Sequence, residues 1–191
     1  GGRLPTTWPK EELDVPVLNV TPSDGVLRYD EGIHIGYRAW LKNGTAPAYE
    51  FGHGLGYTTW SFDDLSVETV NNGPLTADTA FEVQITVKNT GSRAGKQVVQ
   101  VYAERADSAV DRPVRWLVGF APVWAEAGAT ATAAVQLTAR SLAHWQDGWQ
   151  YEAGAYTLSA GSSVSQLPLS TTVSLDAGSL PTLAQAAAGV A

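Results

Sequence analysis

The chain has 191 residues, of which 44% are hydrophobic and 16% are charged, a balance typical of one globular domain with extensions. The net charge of -7 offers no basic surface for phosphates, and no apolar run is long enough for a membrane span, so neither nucleic-acid nor membrane partners are expected. Because cysteine is absent, disulfides, thiolate metal sites and a cysteine nucleophile are excluded, while the compartment, cytoplasmic or secreted in a bacterium, stays open.

Residues 1–9 predict a short extended segment. Pro5 and Pro9 both push the residue before them away from the helical region. A segment this short does not fold alone, so we interpret it as the terminal edge strand of a domain whose remainder is missing. The sequence contains no Met, even at its first position, which indicates a processed chain or a piece of a longer one.

Residues 10–59 show little periodicity and are interrupted by prolines and glycines, which is unusual in a compact domain unless the segment packs on a surface. They carry large apolar side chains, each worth about 1.5–3 kcal/mol when buried. Ile33, Ile35 and Tyr37 alternate as in a short strand. We therefore predict a packing arm that lies against a partner surface, most simply the missing domain. A floppy linker is the alternative.

The arm ends in the run Phe51-Gly-His-Gly-Leu-Gly-Tyr-Thr-Thr-Trp60. Alternating glycines among large rings indicate a backbone that needs unusual dihedral angles or close approach. We interpret this run as a joint between the arm and the following strands, with His53 either a buried, hydrogen-bonded ring or a rigidifying residue. Glu31 and Arg38 form either a buried pair that holds the arm or separate surface contacts. The predicted joint residues are Glu31, Arg38, Phe51, His53, Tyr57 and Trp60.

From residue 60 to residue 175 the pattern predicts a β-sandwich. A first strand includes Leu65 and Val67, and further strands are predicted at 81–88, 97–103, 115–124, 130–138, 156–160 and 167–173. Seven short strands separated by turn signals are typical of a sandwich, and the absence of disulfide cysteines favours the fibronectin type III variety. The fold class is therefore all-β, a seven-stranded fibronectin type III-like sandwich preceded by a long irregular packing arm. One or two helical turns are predicted at 139–145, and a flexible tail at 176–191 with a nascent helix at 183–188.

Several motifs, in this order along the chain, resemble the C-terminal end of family 3 glycoside hydrolases of the β-glucosidase or β-xylosidase kind. They are residues 1–9, Tyr29-Asp-Glu-Gly-Ile-His-Ile-Gly-Tyr-Arg38, residues 47–60, Val87-Lys-Asn-Thr-Gly-Ser-Arg-Ala-Gly-Lys96, Arg112-Pro-Val-Arg-Trp-Leu-Val-Gly-Phe120 and Gly154-Ala-Tyr-Thr-Leu-Ser-Ala-Gly161. The resemblance spans about residues 1–173. It implies that residues 1–9 close an α/β sandwich domain and that the terminal domain is fibronectin-like.

The same resemblance implies a parent enzyme that is a retaining, exo-acting β-glycosidase. In that family the nucleophilic Asp lies in an N-terminal barrel and the acid/base Glu comes from the α/β sandwich domain, so neither position exists in this chain. We expect no catalytic residue here. The predicted role is structural, stabilising the catalytic domains, and the expected partners are the remainder of the hydrolase, on this or a separate chain, and a second copy in a homodimer.

The residues themselves also argue against chemistry. Glycoside hydrolysis needs two carboxyl groups across the scissile bond, and every paired candidate is expected on a solvated surface: Glu11 with Glu12, Asp30 with Glu31, Asp63 with Asp64, and Glu104 with Asp107. The three histidines, His34, His53 and His144, have no ligand spacing. Neither a metal nor another cofactor is therefore expected.

Exposed aromatic side chains leave one alternative function open, a carbohydrate-binding module with a row of coplanar rings. The candidates are Trp116, Trp124, Trp145, Trp149 and Tyr151. We favour a different interpretation, in which Trp116 and Trp124 fill the core or an interface and in which Trp145 and Trp149 fold back over a turn at 146–148. A free-standing protein-interaction domain is the second alternative.

Overall fold

The computed structural model describes residues 2–18, 20–69 and 81–180. Within them, two antiparallel sheets pack face to face. The first sheet has the order β1-β2-β5 and consists of β1 (Trp60–Thr69), β2 (Phe81–Asn89) and β5 (Thr130–Leu137). The second has the order β4-β3-β8-β9 and consists of β3 (Gly95–Glu104), β4 (Trp116–Ala125), β8 (Gly154–Gly161) and β9 (Leu169–Leu175). These seven strands confirm the predicted all-β, fibronectin type III-like sandwich.

The core lies between the two sheets because alternate residues of each strand face inward. In β2 the inward residues Phe81, Val83, Ile85 and Val87 are at most 5% exposed. They meet Val99, Val101 and Ala103 of β3 and the inward residues of β5 and β8 in one apolar cluster. At about 1.5–3 kcal/mol for each large apolar side chain, this cluster is the main source of stability.

Two of the predicted core tryptophans differ in their environment. Trp116 is 7% exposed and its indole N–H donates to the Ser141 carbonyl at 2.7 Å, which confirms its place in the core. Trp124 is 59% exposed, so the core alternative is wrong for it. The reason is an irregularity in the register between β3 and β4 at Val101 and Tyr102, after which the even-numbered residues of β4 face outward.

Three short strands form a separate small sheet in the order β10-β7-β6: β6 (His144–Trp145), β7 (Trp149–Tyr151) and β10 (Gly178–Leu180). The predicted helix at 139–145 is confirmed only for α2 (Ala139–Leu142), because Trp145 pairs with Trp149 across the predicted turn. In the predicted flexible tail, residues 178–180 are a strand, and the nascent helix at 183–188 lies outside the described residues.

The arm contains a 3₁₀ turn, η1 (Glu12–Asp14), and one short helix, α1 (Tyr37–Asn43). The strand predicted from Ile33, Ile35 and Tyr37 is wrong, since residues 30–33 form a turn and Tyr37 begins α1. Gly36 and Gly44, with φ of 53° and 67°, bound this helix, and such angles favour glycine. None of the helices in the described ranges is both long and apolar enough to cross a bilayer.

Glu152, in the turn before β8, holds the long loop that follows β3. Its carboxylate accepts hydrogen bonds from the Ala109 N–H (2.7 Å), Ser108 Oγ (2.8 Å) and Arg112 Nε (2.9 Å), and Arg105 Nε lies 3.3 Å away. Burial alone would raise the pKa of Glu152, but the hydrogen bonds from Ala109, Ser108 and Arg112 outweigh it and lower the pKa from 4.5 to about 2. The ionised carboxylate therefore stabilises the fold.

The substitution Glu152→Gln tests this cluster. At neutral pH it should lower the free energy of unfolding by about 2–3 kcal/mol, because two largely buried guanidinium groups lose their counter-charge. Because the pKa of Glu152 is depressed in the folded state, its ionised carboxylate stabilises the fold fully above pH 4.5 and loses this effect as the pH falls toward about 2. The difference in free energy of unfolding between wild type and variant should therefore shrink over that pH range. Urea denaturation at neutral pH and at pH about 3 measures it.

The exposed Glu126 supplies the matched control, Glu126→Gln, since its side chain forms no hydrogen bond or ion pair with another described residue. It should change stability little at either pH. If the loss in free energy of unfolding caused by Glu152→Gln did not depend on pH, the stabilising role of the ionised Glu152 carboxylate would be contradicted.

Candidate functional site: the joint between arm and sandwich

Gln100 of β3 is the centre of the joint. It faces away from the core, yet it is only 4% exposed because the arm crosses over it. Its side-chain amide donates to the carbonyls of Ser162 (2.6 Å) and Gly52 (3.3 Å), and its Oε1 accepts from the Tyr102 hydroxyl at 2.7 Å. Burial raises the pKa of Tyr102, so this hydroxyl stays protonated and remains a donor.

Aromatic rings and backbone bonds fix the arm on either side of Gln100. Tyr37, the first residue of α1, stacks on Phe51 with ring centroids 4.6 Å apart, and its hydroxyl accepts from the Leu117 N–H at 2.9 Å. The Phe51 carbonyl accepts from the Val164 N–H at 3.1 Å. The arm therefore touches β4 and the loop between β8 and β9 as well as β3.

Polar side chains tie the neighbouring residues to the same loop. Ser163 Oγ donates to Glu50 Oε1 at 2.8 Å. His53 Nδ1 lies 3.8 Å from the same oxygen, too far for a hydrogen bond, and the His53 ring is 27% exposed. What fixes His53 is its backbone, since its carbonyl accepts from the Leu4 N–H at 2.8 Å.

The N-terminal segment pairs with the joint. The Leu4 carbonyl accepts a hydrogen bond from the Gly52 N–H at 2.9 Å, and Trp8 forms an antiparallel β-bridge with Tyr49. Arg3 donates to the Gly54 carbonyl at 2.9 Å and to the side chain of Gln97. Residues 3–8 and 49–54 thus form one hydrogen-bonded unit on the sandwich.

Of the two arrangements predicted for Glu31 and Arg38, the buried pair is wrong, because no ion pair between described residues joins them. Glu31 lies in the turn before α1, where its carbonyl accepts from the His34 N–H at 3.0 Å. The Arg38 guanidinium lies over the Tyr37 ring at 6.0 Å. The arm is held nearby by His34 instead, whose Nε2 is 2.8 Å from Asp111.

The outer side of the joint is aromatic and exposed. The side chains that we call the joint outer face are exposed by 46% to 91%: Trp8, Tyr49, Leu55 and Tyr57. The first two meet edge to face at 6.2 Å. Of the predicted joint residues, Tyr57 belongs to this outer face, whereas Trp60 does not, because Trp60 lies at the start of β1 and packs partly against the sandwich core. The joint therefore has an anchored inner face and an open outer face.

None of the paired candidate carboxylates, all of which lie in the described ranges, is arranged as a catalytic dyad. Asp63, Asp64 and Asp107 are exposed, and Glu104 forms an ion pair with Arg115 at 2.7 Å. The pairs Glu11 with Glu12 and Asp30 with Glu31 lie in turns of the arm. His144 Nδ1 contacts Arg112, and no group of three or more His, Asp or Glu in residues 2–18, 20–69 and 81–180 is arranged to hold a metal ion.

Sequence reasoning missed Tyr37, Glu50, Gln100 and Tyr102. One signal was present: Gln100 and Tyr102 share the outward side of β3. A tyrosine on the outward side indicates that something covers that side. No local pattern identifies the arm as the cover, because the contacts join residues that are 48 to 113 positions apart.

Gly52→Ala tests the joint. A Cβ on Gly52 would lie 2.3 Å from Gln100 Oε1, and Gly52 has φ of 83°. We expect a loss of about 2–3 kcal/mol in arm docking, from strain and from displaced Gln100. Hydrogen exchange should speed up at the amides of Leu117 and Val164, which bond to the arm.

Gly25→Ala is the control, since Gly25 has a similar φ of 75° but open space around its Cβ position. It should cost only the backbone strain, about 1 kcal/mol, and leave both amides protected. Equal protection in the two variants would show that Gln100 does not hold the arm.

Comparisons with known proteins agree with this architecture. The family model of the fibronectin type III-like domain matches residues 97–164. A probable β-glucosidase H of Neosartorya fischeri is 34% identical over 170 residues, 87% of this chain and 20% of the relative. A β-glucosidase of Rhizobium radiobacter is 38% identical over 167 residues, 84% of this chain and 19% of the relative.

The likeness in fold covers nearly the whole chain. The crystal structure of a family 3 β-glucosidase of Bifidobacterium adolescentis matches 95% of this chain and 27% of its own, with a TM-score of 0.83 and 34% identity. The chain spans about one fifth of the length of the curated relatives that it matches. In sequence and in fold, it therefore corresponds to the C-terminal part of a family 3 glycoside hydrolase, including the fibronectin type III-like domain.

Proposed function

We propose that this chain is the accessory C-terminal part of a β-glucosidase and that it stabilises the catalytic domains of that enzyme. The observation that carries the proposal is the two-sided joint. Its inner face is bound to the sandwich through Gln100, while its outer face leaves Trp8 51% and Tyr57 91% exposed. Exposed aromatic side chains on an anchored backbone are typical of an interface.

The proposed partner is the remainder of the hydrolase, on the same chain or on a separate one. Its contact with the joint outer face would bury Trp8, Tyr49, Leu55 and Tyr57, each worth about 1.5–3 kcal/mol. Because the joint is already fixed by hydrogen bonds, docking would cost little backbone entropy. The sandwich thus acts as a rigid support.

The proposed activity of the whole enzyme is retaining hydrolysis of terminal β-glucosidic bonds. Its nucleophile and its acid/base would come from the rest of the hydrolase. The carboxylates of this chain support that division, because the paired ones are solvated, as Asp63 and Asp64 are, or ion-paired, as Glu104 is. We therefore expect the isolated chain not to hydrolyse p-nitrophenyl β-glucoside.

A chimera tests the proposal. The section of the Rhizobium radiobacter β-glucosidase that matches this chain is either deleted or replaced by this chain. The chimera should unfold at a temperature several degrees higher than the truncated enzyme, and should recover hydrolysis of p-nitrophenyl β-glucoside. The double variant Trp8→Ser, Tyr57→Ser should lose most of both gains.

Leu13→Ser is the matched control, because Leu13 is 87% exposed on the arm but lies outside the joint outer face. It should leave both gains intact. A folded chimera that is no more stable and no more active than the truncated enzyme would refute the accessory function.

The carbohydrate-binding module has less support. The rings of Trp145 and Trp149 meet at 77°, so they do not form the coplanar row that such a module uses. Tyr151 is 9% exposed and Trp116 is 7% exposed, which removes both from the surface.

A homodimer through the outer face of β4 is a second candidate arrangement. Phe120 is 63% and Trp124 59% exposed there, with the exposed Pro122 between them. Sedimentation over a range of concentrations should give the mass of two chains, and Trp124→Ser should return the mass of one. A single-chain mass for the wild type at every concentration would refute the dimer.

A further inference from the structure

A cleft of about 780 Å³ opens between the arm, residues 110–113 and the hairpin of β6 and β7. Its volume is in the range of small-molecule sites. Three of the chain's twelve Lys and Arg side chains line it, against a single carboxylate, although the whole chain has 19 Asp and Glu. The charged and indole side chains among those that line the cleft include Arg38, Arg112, Arg140, Asp111, Trp145 and Trp149.

Two of the three guanidinium groups have no carboxylate partner among the described residues. Arg112 is occupied, because it donates to Glu152 and to the Leu142 carbonyl. Arg140 instead lies over the Trp149 ring at 4.2 Å, and Arg38 lies over the Tyr37 ring at 6.0 Å. A guanidinium stacked on a ring keeps its N–H edge free for a carboxylate, which it binds with two parallel hydrogen bonds.

An indole ring lies beside these charges. Trp145 is 60% exposed, and the Trp149 ring meets it nearly at a right angle, with centroids 5.4 Å apart. The pairing of β6 with β7 and the contact of Arg112 with His144 hold this hairpin in place. A flat, fixed indole is a surface for the C–H face of a sugar ring, and the exposed Asp111 side chain offers an acceptor for sugar hydroxyls.

We propose that this cleft binds a carboxylate-bearing saccharide of about one to three sugar units. Its carboxylate pairs with Arg140 or Arg38, and one of its rings stacks on Trp145. A neutral sugar uses the indole and Asp111 but brings no counter-charge to the guanidinium groups, and an acidic peptide uses only the arginines. The acidic saccharide is therefore the ligand that uses all three. This binding is independent of the accessory function, since it needs no other part of the hydrolase.

The test titrates the 191-residue chain with digalacturonate, and with cellobiose as the neutral comparison, by calorimetry and by NMR of the indole N–H groups. Digalacturonate should shift the Trp145 signal and bind about tenfold more tightly than cellobiose, because its carboxylates meet guanidinium groups. Binding should weaken as salt is added, since these charges are partly exposed.

Variants locate the site. Arg140→Gln and Trp145→Ala should each weaken digalacturonate binding about tenfold, and Trp145→Phe keeps an aromatic ring if the Ala variant disturbs the hairpin. Tyr29→Ala is the matched control for an exposed ring, because Tyr29 is 76% exposed but does not line the cleft. Arg93→Gln is the control for charge, since Arg93 is exposed in the turn before β3. Both controls should bind as the wild type does.

Three results would overturn the proposal. The first is no Trp145 shift at millimolar digalacturonate. The second is equal binding of cellobiose, which would show that the ligand carboxylate contributes nothing to binding. The third is tighter binding of tetraglutamate than of digalacturonate, which would make an acidic protein segment the occupant.

Discussion

The joint depends on the need to satisfy one buried amide. Gln100 would be solvated on a bare sheet, but the arm buries it, so its polar atoms require partners within the protein. The carbonyls of Gly52 and Ser162 and the hydroxyl of Tyr102 supply them. The arm passes close enough only because Gly52 has no side chain. The path of the arm over β3 therefore follows from one side chain and one glycine.

The arm gives the sandwich two surfaces that its strands do not provide. On one side it presents Tyr49 and Tyr57 next to Trp8 of the N-terminal segment, and these exposed rings suit a protein partner. On the other it places Arg38 at the edge of a cleft that is rich in guanidinium groups and indole rings. The inward residues of the sandwich serve packing, so the residues available for binding come from an irregular segment. Binding residues commonly lie on loops that a rigid scaffold positions.

The sandwich could be predicted from the sequence because strand alternation is local, and residues 81–88 show it clearly. The arm could not, since its structure depends on distant contacts. Helix α1 is only seven residues long and is bounded by glycines, so it leaves little periodicity. Of the two places predicted for Trp124, the core is wrong because a register irregularity reverses the faces of β4, while the interface stays a prediction. Local composition predicts a joint at Phe51, but it does not predict the contacts of Phe51 with Tyr37 and Val164, because nothing in the sequence links these residues.

The separation of these contacts along the chain has a consequence for folding. Arg3 bonds to a residue 94 positions later, and Glu50 to one 113 positions later. Closing loops of this size costs entropy before any contact is gained, so the docking of the arm must wait until β3 and the β8–β9 loop exist. During synthesis the arm leaves the ribosome before the strands that hold it. The arm is thus made before the strands of the sandwich but reaches its final place after them.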